Sequence, residues 1–141
     1  LRSGYYNTKT WRDPLVNADS LFSDQSIILL RLGEVLISKA EAQFRSGDLA
    51  GAAASLKKVR DRAWGGAAPD LGTVDMKKIL NEYRHEINGE WSLWFDLRRS
   101  GSLVDYLKDT HGFTVPLGRD VLPIPASAIA NNPTLEQNPH Y

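Results

Sequence analysis

Several features are missing from this sequence of 141 residues, and each absence excludes a class of protein. There is no cysteine, so disulfide bonds, thiolate nucleophiles and cysteine-based metal sites are excluded. Seventeen basic residues balance seventeen acidic ones, so the chain lacks the net positive charge that attracts nucleic acid or an anionic membrane surface. No apolar run approaches the roughly 20 residues that a membrane-spanning helix needs.

Motifs for catalysis and cofactor binding are also missing. The sequence has no G-x-S-x-G nucleophile elbow and no glycine-rich loop of the G-x-x-x-x-G-K-S/T or G-x-G-x-x-G type. The three histidines, His85, His111 and His140, are too scattered to suggest a set of metal ligands. We therefore expect no catalytic residue, no metal and no cofactor.

The chain opens at Leu1 without an initiator methionine or a signal-peptide pattern. We expect it to be a fragment whose targeting segment lies upstream. Residues 1–25 carry aromatic, proline and polar residues without a sustained period, which predicts a lead-in loop from a missing N-terminal half. Residues 26–141 are long enough for one helical domain.

Apolar residues recur at helical spacing from Ile27 to Arg45 and again from Leu49 to Ala63. Gly47 can take the left-handed conformation that ends a helix, and Asp48 can cap the next one. The pattern predicts a tight hairpin of two helices, with apolar residues over a wide arc of the first. Its predicted apolar face includes Ile28, Leu32 and Val35.

Two further helices and an irregular tail are predicted beyond this hairpin. Thr73 or Asp75 can cap a third helix that ends near Asn88-Gly89. A fourth helix, Glu90 to Arg99, is apolar on nearly all sides, which is typical of burial. Beyond Gly101 the sequence is rich in proline and asparagine, and we expect the tail to lie on the helices through its apolar residues. These are Val121, Leu122, Ile124, Ile129, Leu135 and Tyr141.

The hairpin resembles one tetratricopeptide repeat, but many antiparallel helix pairs would match that pattern. Three other segments resemble the SusD-like (RagB/SusD) family more specifically. Residues 31–36 with 40–42 resemble its R-x-A-E-V-L-L…A-E-A helix, and residues 82–99 resemble its E-R-R-x-E-L…E-G-x-R-W-F-D-L-x-R segment. The ending, from Leu122 to Tyr141, resembles L-P-I-P…N-P…Q-N-P-G-Y. Residues 91–93 and His140 depart from these patterns.

The resemblance implies an all-α fold with a tetratricopeptide-like hairpin, further packed helices and a long irregular C-terminal tail. It also implies a non-catalytic protein that binds oligosaccharide or polysaccharide. In the family, such a protein is lipid-anchored on the extracellular face of the outer membrane and works with a SusC-like TonB-dependent transporter. A tetratricopeptide-type protein-interaction adaptor is the alternative, and a glycoside hydrolase fragment is a third class.

Glu82, Glu86 and Glu90 recur at four-residue spacing and could serve acid–base chemistry or hold a cation. Structural ion pairs are the stronger interpretation, with countercharges from Arg84, His85, Arg98 and Arg99. Asp96 lies in the aromatic segment, so it needs a partner, which we expect to be an arginine or backbone amides of the tail. We assign structural roles to six residues: Arg31, Glu34, Glu86, Glu90, Asp96 and Arg98.

Exposed aromatic rings next to polar groups are typical sugar contacts, because the C–H face of a sugar packs on a ring while its hydroxyls take hydrogen bonds. Four residues fit that description: Tyr5, Tyr6, Trp11 and Trp64. The alternative is that the first three seal the joint to the missing half. Trp91 and Trp94 are better explained as core residues because they lie in the apolar segment.

Overall fold

The computed structural model describes residues 26, 28–90 and 92–141. Within them the chain forms helices and no strand, which confirms the predicted all-α fold class. The helices are α1 (Leu32–Arg45), α2 (Leu49–Trp64), α3 (Met76–Glu86), α4 (Leu93–Arg99), α5 (Leu103–His111) and α6 (Ala126–Asn131). The chain divides into two compact units, one ending at Trp91 and one running from Ser92 to Tyr141. The boundary predicted between residues 25 and 26 remains a prediction, because residues 1–25 lie outside the described residues.

The first two helices form the predicted hairpin. Gly47 has a φ of 86°, the left-handed conformation that lets the chain reverse after α1. The Asp48 side chain accepts a hydrogen bond from the Gly51 amide at 2.8 Å, which caps α2 as predicted. Close packing follows, and Ala40 and Ala52 are both fully buried between the helices.

Helix α1 begins at Leu32, so the predicted start five residues earlier is wrong. Residues 28–31 are not helical, and Arg31 has an extended backbone with φ −146° and ψ 160°. The apolar period continues through this segment, but the Arg31 side chain is held by residues at the end of α3. A tertiary contact here overrides the local pattern.

The predicted apolar face of α1 is wrong in its first part. Ile28, Leu32 and Val35 are 52%, 72% and 44% exposed. Ile37 and Ala40 instead form the buried part of the helix, together with Glu41. The helix does pack on two sides, against α2 and against α3, as its wide apolar arc predicts.

Helix α3 completes the core of the first unit. Its cap is Asp75, whose carboxylate accepts a hydrogen bond from the Lys78 amide at 2.7 Å. Ile79 and Tyr83 are completely buried. The Tyr83 hydroxyl lies 2.8 Å from the Ser38 hydroxyl of α1, so this buried ring also has a polar partner.

The second unit has a smaller core, formed where α4 packs against α5. Leu97, Leu103 and Tyr106 are its buried residues. The predicted burial of the whole α4 segment is wrong, because Phe95 is 64% exposed. The predicted start at Glu90 is also wrong. Gly89, with a φ of 78°, breaks the helical path before α4 begins at Leu93.

The C-terminal tail is held mainly by its own side chains. The Gln137 amide group both accepts from the Ile124 amide at 2.8 Å and donates to the Ile124 carbonyl at 2.9 Å. The Tyr141 hydroxyl donates to the Val121 carbonyl, and the Arg119 guanidinium lies 4.1 Å from the Tyr141 ring centre. The tail thus closes on residues 121–124 through polar contacts.

The apolar residues of the tail are more exposed than predicted. Leu122 is 65% exposed, while Leu135 and Tyr141 are 37% and 41% exposed. Burial of these side chains on helices, which the sequence predicted, is therefore wrong for these three. The hydrogen bonds of Gln137 and Tyr141 explain how the segment keeps its shape without that burial.

Candidate functional site

One face of α2 carries the exposed aromatic residue that the sequence proposed as a sugar contact. Trp64 is the last residue of α2 and is 63% exposed. Gly65 follows in the left-handed conformation and ends the helix. Lys57, Arg60 and Trp64 stand at spacings of three and four residues, so they share one side of α2.

A cleft lies along the same side of the helix. It has a volume of about 210 Å³ and is lined by Ala53, Ala54, Lys57 and Arg60 on one side and by residues 68–72 on the other. Its helical wall is therefore apolar at one end and cationic at the other. The cleft is open to solvent because Ala54 and Lys57 are exposed.

Hydrogen bonds to α2 hold the first part of the segment opposite the helix. The Arg60 guanidinium donates to the Pro69 carbonyl at 3.0 Å, and the Ala68 amide donates to the Asp61 carboxylate at 2.9 Å. Each of these two α2 side chains thus binds a backbone group of the loop.

Lys78 of α3 holds the second part of the loop that forms this wall of the cleft. The Lys78 ammonium donates to the carbonyls of Leu71 and Thr73 at 2.7 and 2.6 Å. Val74, at the end of the loop, is buried. The loop wall of the cleft is therefore anchored on both sides, to α2 and to α3.

The charged side chains around the cleft are themselves paired. Arg60 binds Glu82 of α3 at 2.6 Å, and only 14% of the arginine side chain is exposed. The Lys57 ammonium binds both oxygens of Asp61, at 2.7 and 2.6 Å. Hydrogen bonds from Lys57 and from the Ala68 amide hold the pKa of Asp61 below its usual value.

A second polar cluster, which we call the Arg31 cluster, consists of Arg31, Arg62, Glu86 and Glu90. The Arg31 guanidinium binds Glu90 through contacts of 2.8, 3.0 and 3.2 Å. It also donates to the Glu86 carboxylate and to the Glu86 backbone carbonyl. Arg62, at the end of α2, donates to the same Glu86 carboxylate. The cluster joins the start of α1 to the ends of α2 and α3.

Gly33 lets α1 approach this cluster closely. A Cβ atom at residue 33 would collide with the Glu86 carboxylate and would lie 2.8 Å from the Arg31 guanidinium. Any side chain at this position would have to displace the buried Glu86 group. The glycine is thus part of the structure of the Arg31 cluster.

Ionisation of the cluster follows from these contacts. Burial disfavours the charged form of Glu86, but hydrogen bonds from Arg31 and Arg62 outweigh it, so its pKa lies below the usual value. The hydrogen bond with Glu90, opposed in part by burial, raises the pKa of Arg31 further above the physiological range. Both shifts favour the charged forms of Glu86 and Arg31 at neutral pH.

The three regularly spaced glutamates do not share a helix. Helix α3 ends at Glu86, so Glu90 lies outside it. Arg60 binds Glu82, while Arg31 and Arg62 bind Glu86. These partners come from α2 and from the start of α1, not from the neighbouring basic residues that the sequence predicts.

The other residues assigned structural roles lie in three different settings. Glu34 lies in the first turn of α1, where the helix dipole favours a carboxylate. The Arg98 guanidinium lies 5.0 Å from the Trp94 ring centre. Asp96 binds Arg99 at 3.1 Å, and its second oxygen is buried without a hydrogen-bond partner in the described part of the chain. Asp96 therefore does not hold the tail.

Among the sugar-contact candidates, only Trp64 can be placed. Tyr5, Tyr6 and Trp11 lie outside the described residues. The cleft beside Trp64 was missed by the sequence reasoning because its loop wall depends on hydrogen bonds between distant residues. The proline and glycine of the run Ala68-Pro69-Asp70-Leu71-Gly72 are the signal of a fixed turn that the sequence offers there.

Two further findings concern residues 26, 28–90 and 92–141. No group of three or more potential ligand side chains is placed there to hold a metal ion. No helix there combines the length and the apolar character that crossing a membrane requires.

Comparison with known proteins relates the sequence to one family. The sequence model of the SusD family matches residues 2–115. The chain is 30% identical over 136 residues to a SusD-like protein of Formosa agariphila, covering 89% of this chain and 27% of that protein. It is 32% identical over 127 residues to the starch-binding protein SusD of Bacteroides thetaiotaomicron, covering 85% of this chain and 22% of that protein. No solved structure matches the chain.

The chain spans about a quarter of the length of these curated relatives. The matched family segment includes α1 to α5, with the cleft and the Arg31 cluster. Helices α1 to α5 therefore all lie in the segment that matches the family.

Proposed function

Because the chain belongs to the SusD family, we propose that it is part of a non-catalytic protein that binds oligosaccharide or polysaccharide for uptake. The observation that carries this proposal is the 32% identity to a protein named for starch binding. The similarity covers 85% of this chain, so it includes the helical scaffold rather than a short motif. The glycan that is bound need not be starch, because the name describes the relative.

The surface of α2 supports the proposal independently. An exposed indole, Trp64, stands on the same side of the helix as a cleft that combines alanine walls with charged groups. Sugars bind to such surfaces because their C–H faces pack on aromatic or apolar groups while their hydroxyls form hydrogen bonds. Tyr5, Tyr6 and Trp11 are proposed as further contacts on the strength of their sequence pattern alone.

A binding role without catalysis is supported by the state of the carboxylates. Glycoside hydrolysis uses two carboxyl groups facing the scissile bond, one of which must donate a proton. Glu82 and Glu86 are buried against arginines, and the pKa of Glu86 is lowered, the wrong direction for an acid catalyst. Ion pairs that join helices explain these residues without a reaction.

The location and partner follow from the family relationship and are part of the proposal. We propose that the whole protein is lipid-anchored at the extracellular face of the outer membrane. There it would pass its glycan to a SusC-like TonB-dependent transporter. The whole protein should pull down the transporter. A variant that keeps the glycan-binding surface but lacks the lipid anchor and the transporter-facing surface should not, and this pair of results would support the arrangement.

Calorimetry of the full chain against maltoheptaose, cellohexaose and xylohexaose tests the central part of the proposal. We expect saturable binding of at least one oligosaccharide, with no release of reducing sugar on prolonged incubation. A peptide array measured with the same chain distinguishes the adaptor alternative. Binding to peptides with no response to any oligosaccharide would overturn the proposal, and reducing-sugar release would show an enzyme.

A further inference from the structure

We propose that the cleft between α2 and residues 68–72 is a subsite for one sugar ring and that Trp64 stacks on the next ring. This inference rests on the proposed glycan-binding function and adds the place on this chain where the glycan is held. It is carried by the juxtaposition of a fixed cleft and an exposed indole on one side of α2.

The size of the cleft suits one ring. Its volume of about 210 Å³ is below the roughly 300–1,000 Å³ typical of pockets that enclose a drug-sized molecule. A single pyranose ring fits such a space, and neighbouring sugar units can continue into solvent through the open side of the cleft.

The chemistry of the lining matches the two surfaces of a sugar. Ala53, Ala54 and Leu71 supply apolar groups for the C–H face. The Lys57 ammonium has three N–H donors and forms two hydrogen bonds with Asp61, so one donor remains for a sugar hydroxyl. Asp70 uses one oxygen to accept from the Gly72 amide, and its other oxygen has no partner in the described part of the chain.

The charge around the cleft favours a neutral ligand. Lys57 is neutralised by Asp61, and Arg60 by Glu82. Asp70 adds a negative charge at the opposite wall. An anionic ligand would meet no unpaired cation there, whereas a neutral sugar can use the remaining donor and acceptor.

The cleft needs little reorganisation to bind. Arg60 and Lys78 fix the loop wall through the carbonyls of Pro69, Leu71 and Thr73. A wall that is already ordered lowers the entropy lost when a ligand is bound. Arg60 is therefore a positioning residue, because it holds the loop wall through the Pro69 carbonyl and is itself paired with Glu82.

Trp64 stands four residues beyond Arg60 on α2, slightly more than one turn, a distance of about 6 Å along the helix. That displacement is comparable with the length of one sugar ring. A ring in the cleft would therefore place the next ring near the indole. Stacking there would explain why a large aromatic side chain is 63% exposed at this position.

The test uses calorimetry of the full chain with maltoheptaose, or with whichever of cellohexaose and xylohexaose binds more tightly. Ala54→Phe fills the cleft from an exposed position, and Trp64→Ala removes the indole. Matched controls are Ala42→Phe, at an exposed alanine of α1, and Phe113→Ala, at a ring that is 55% exposed in the second unit. Circular dichroism of each variant checks that the helices are retained.

We expect Trp64→Ala to weaken binding about two- to tenfold, as the loss of one aromatic contact does. Ala54→Phe should weaken it by at least as much, and the two controls should leave the affinity unchanged. If both site variants bind the oligosaccharide with the wild-type affinity, the subsite is refuted while the proposed function remains intact. Absence of binding by the wild-type chain to every oligosaccharide would overturn both.

Discussion

Replacement of Arg31 by methionine tests the Arg31 cluster, the polar contact that joins the three helices of the first unit. Methionine keeps much of the length of the side chain but removes every N–H donor. The change leaves Glu90 without the guanidinium that it binds at 2.8 Å. It leaves Glu86 with Arg62, whose side chain is 61% exposed.

The expected loss can be estimated from the burial of these groups. Breaking a fully buried ion pair costs about 3 to 5 kcal/mol. Arg31 is 23% exposed and Arg62 stays on Glu86, so water and the second arginine compensate part of that cost. We expect the free energy of unfolding to fall by about 2 to 3 kcal/mol at pH 7.

Urea unfolding followed by circular dichroism at 222 nm measures this change. The urea midpoint should decrease while the slope stays constant, because the surface exposed on unfolding is nearly the same. Lys39→Met is the matched control, because Lys39 is an exposed cation on the same helix and should change stability by less than about 0.5 kcal/mol. Equal midpoints for the two variants would refute a stabilising role for the cluster.

The pH dependence gives a second check with a defined sign. Because the pKa of Glu86 is lower in the folded chain, its ionised form stabilises the fold above the unfolded pKa of about 4.3. That contribution is lost as the pH falls through the lower, folded pKa. The difference in stability between wild type and Arg31→Met should therefore shrink as the pH falls below the unfolded pKa of Glu86 and through its lower, folded pKa. A difference that grows with acid would contradict the assignment.

Three smaller changes test other parts of the structure. Asp75→Ala removes the cap of α3 and should lower the free energy of unfolding by about 1 kcal/mol in the same urea assay, and no change would mean that the cap is dispensable. Asp96→Asn should cost less than about 0.5 kcal/mol because Arg99, its partner, is half exposed, and a loss above about 2 kcal/mol would contradict this weak pairing. Gln137→Ala should speed hydrogen exchange of the Ile124 amide, and an unchanged exchange rate would show that the tail does not depend on this bond.

Local signals in the sequence predict the hairpin well. Gly47 and Asp48 fix the turn through a positive φ and a side-chain cap, and both effects act within four residues. The cap of α3 at Asp75 is found for the same reason. These features need no information about distant parts of the chain.

Errors arise where distant residues decide the structure. The apolar period before Leu32 predicts a longer α1. The Arg31 guanidinium instead binds Glu86 and Glu90, which lie 55 and 59 residues later in the chain. Spacing along the chain cannot reveal that the partners of Glu82 and Glu86 lie on α2 and at the start of α1. The exposure of Phe95 is equally hidden, because a helix that is apolar on all sides gives no sign of which side is covered.

The candidate site was predicted in part. Exposure of Trp64 follows from its place between a cationic helix end and a glycine pair. The cleft beside it does not, because its wall is held by Arg60 and Lys78 through backbone carbonyls of a loop. A periodicity argument describes side chains on one element and cannot position a loop against it.

The most direct test of glycan binding by this chain is a nitrogen–proton correlation spectrum of its indole groups during titration with an oligosaccharide. The four tryptophans give four indole signals, and Trp64→Phe identifies the one from Trp64. We predict a saturable shift of the Trp64 signal and little change for Trp94, which packs with Phe95 and Arg98 in the second unit. A Trp64 signal that stays in place while other indole signals shift would refute the Trp64 subsite. No shift of any of the four indole signals with every oligosaccharide, at concentrations up to several millimolar, would contradict glycan binding by this chain.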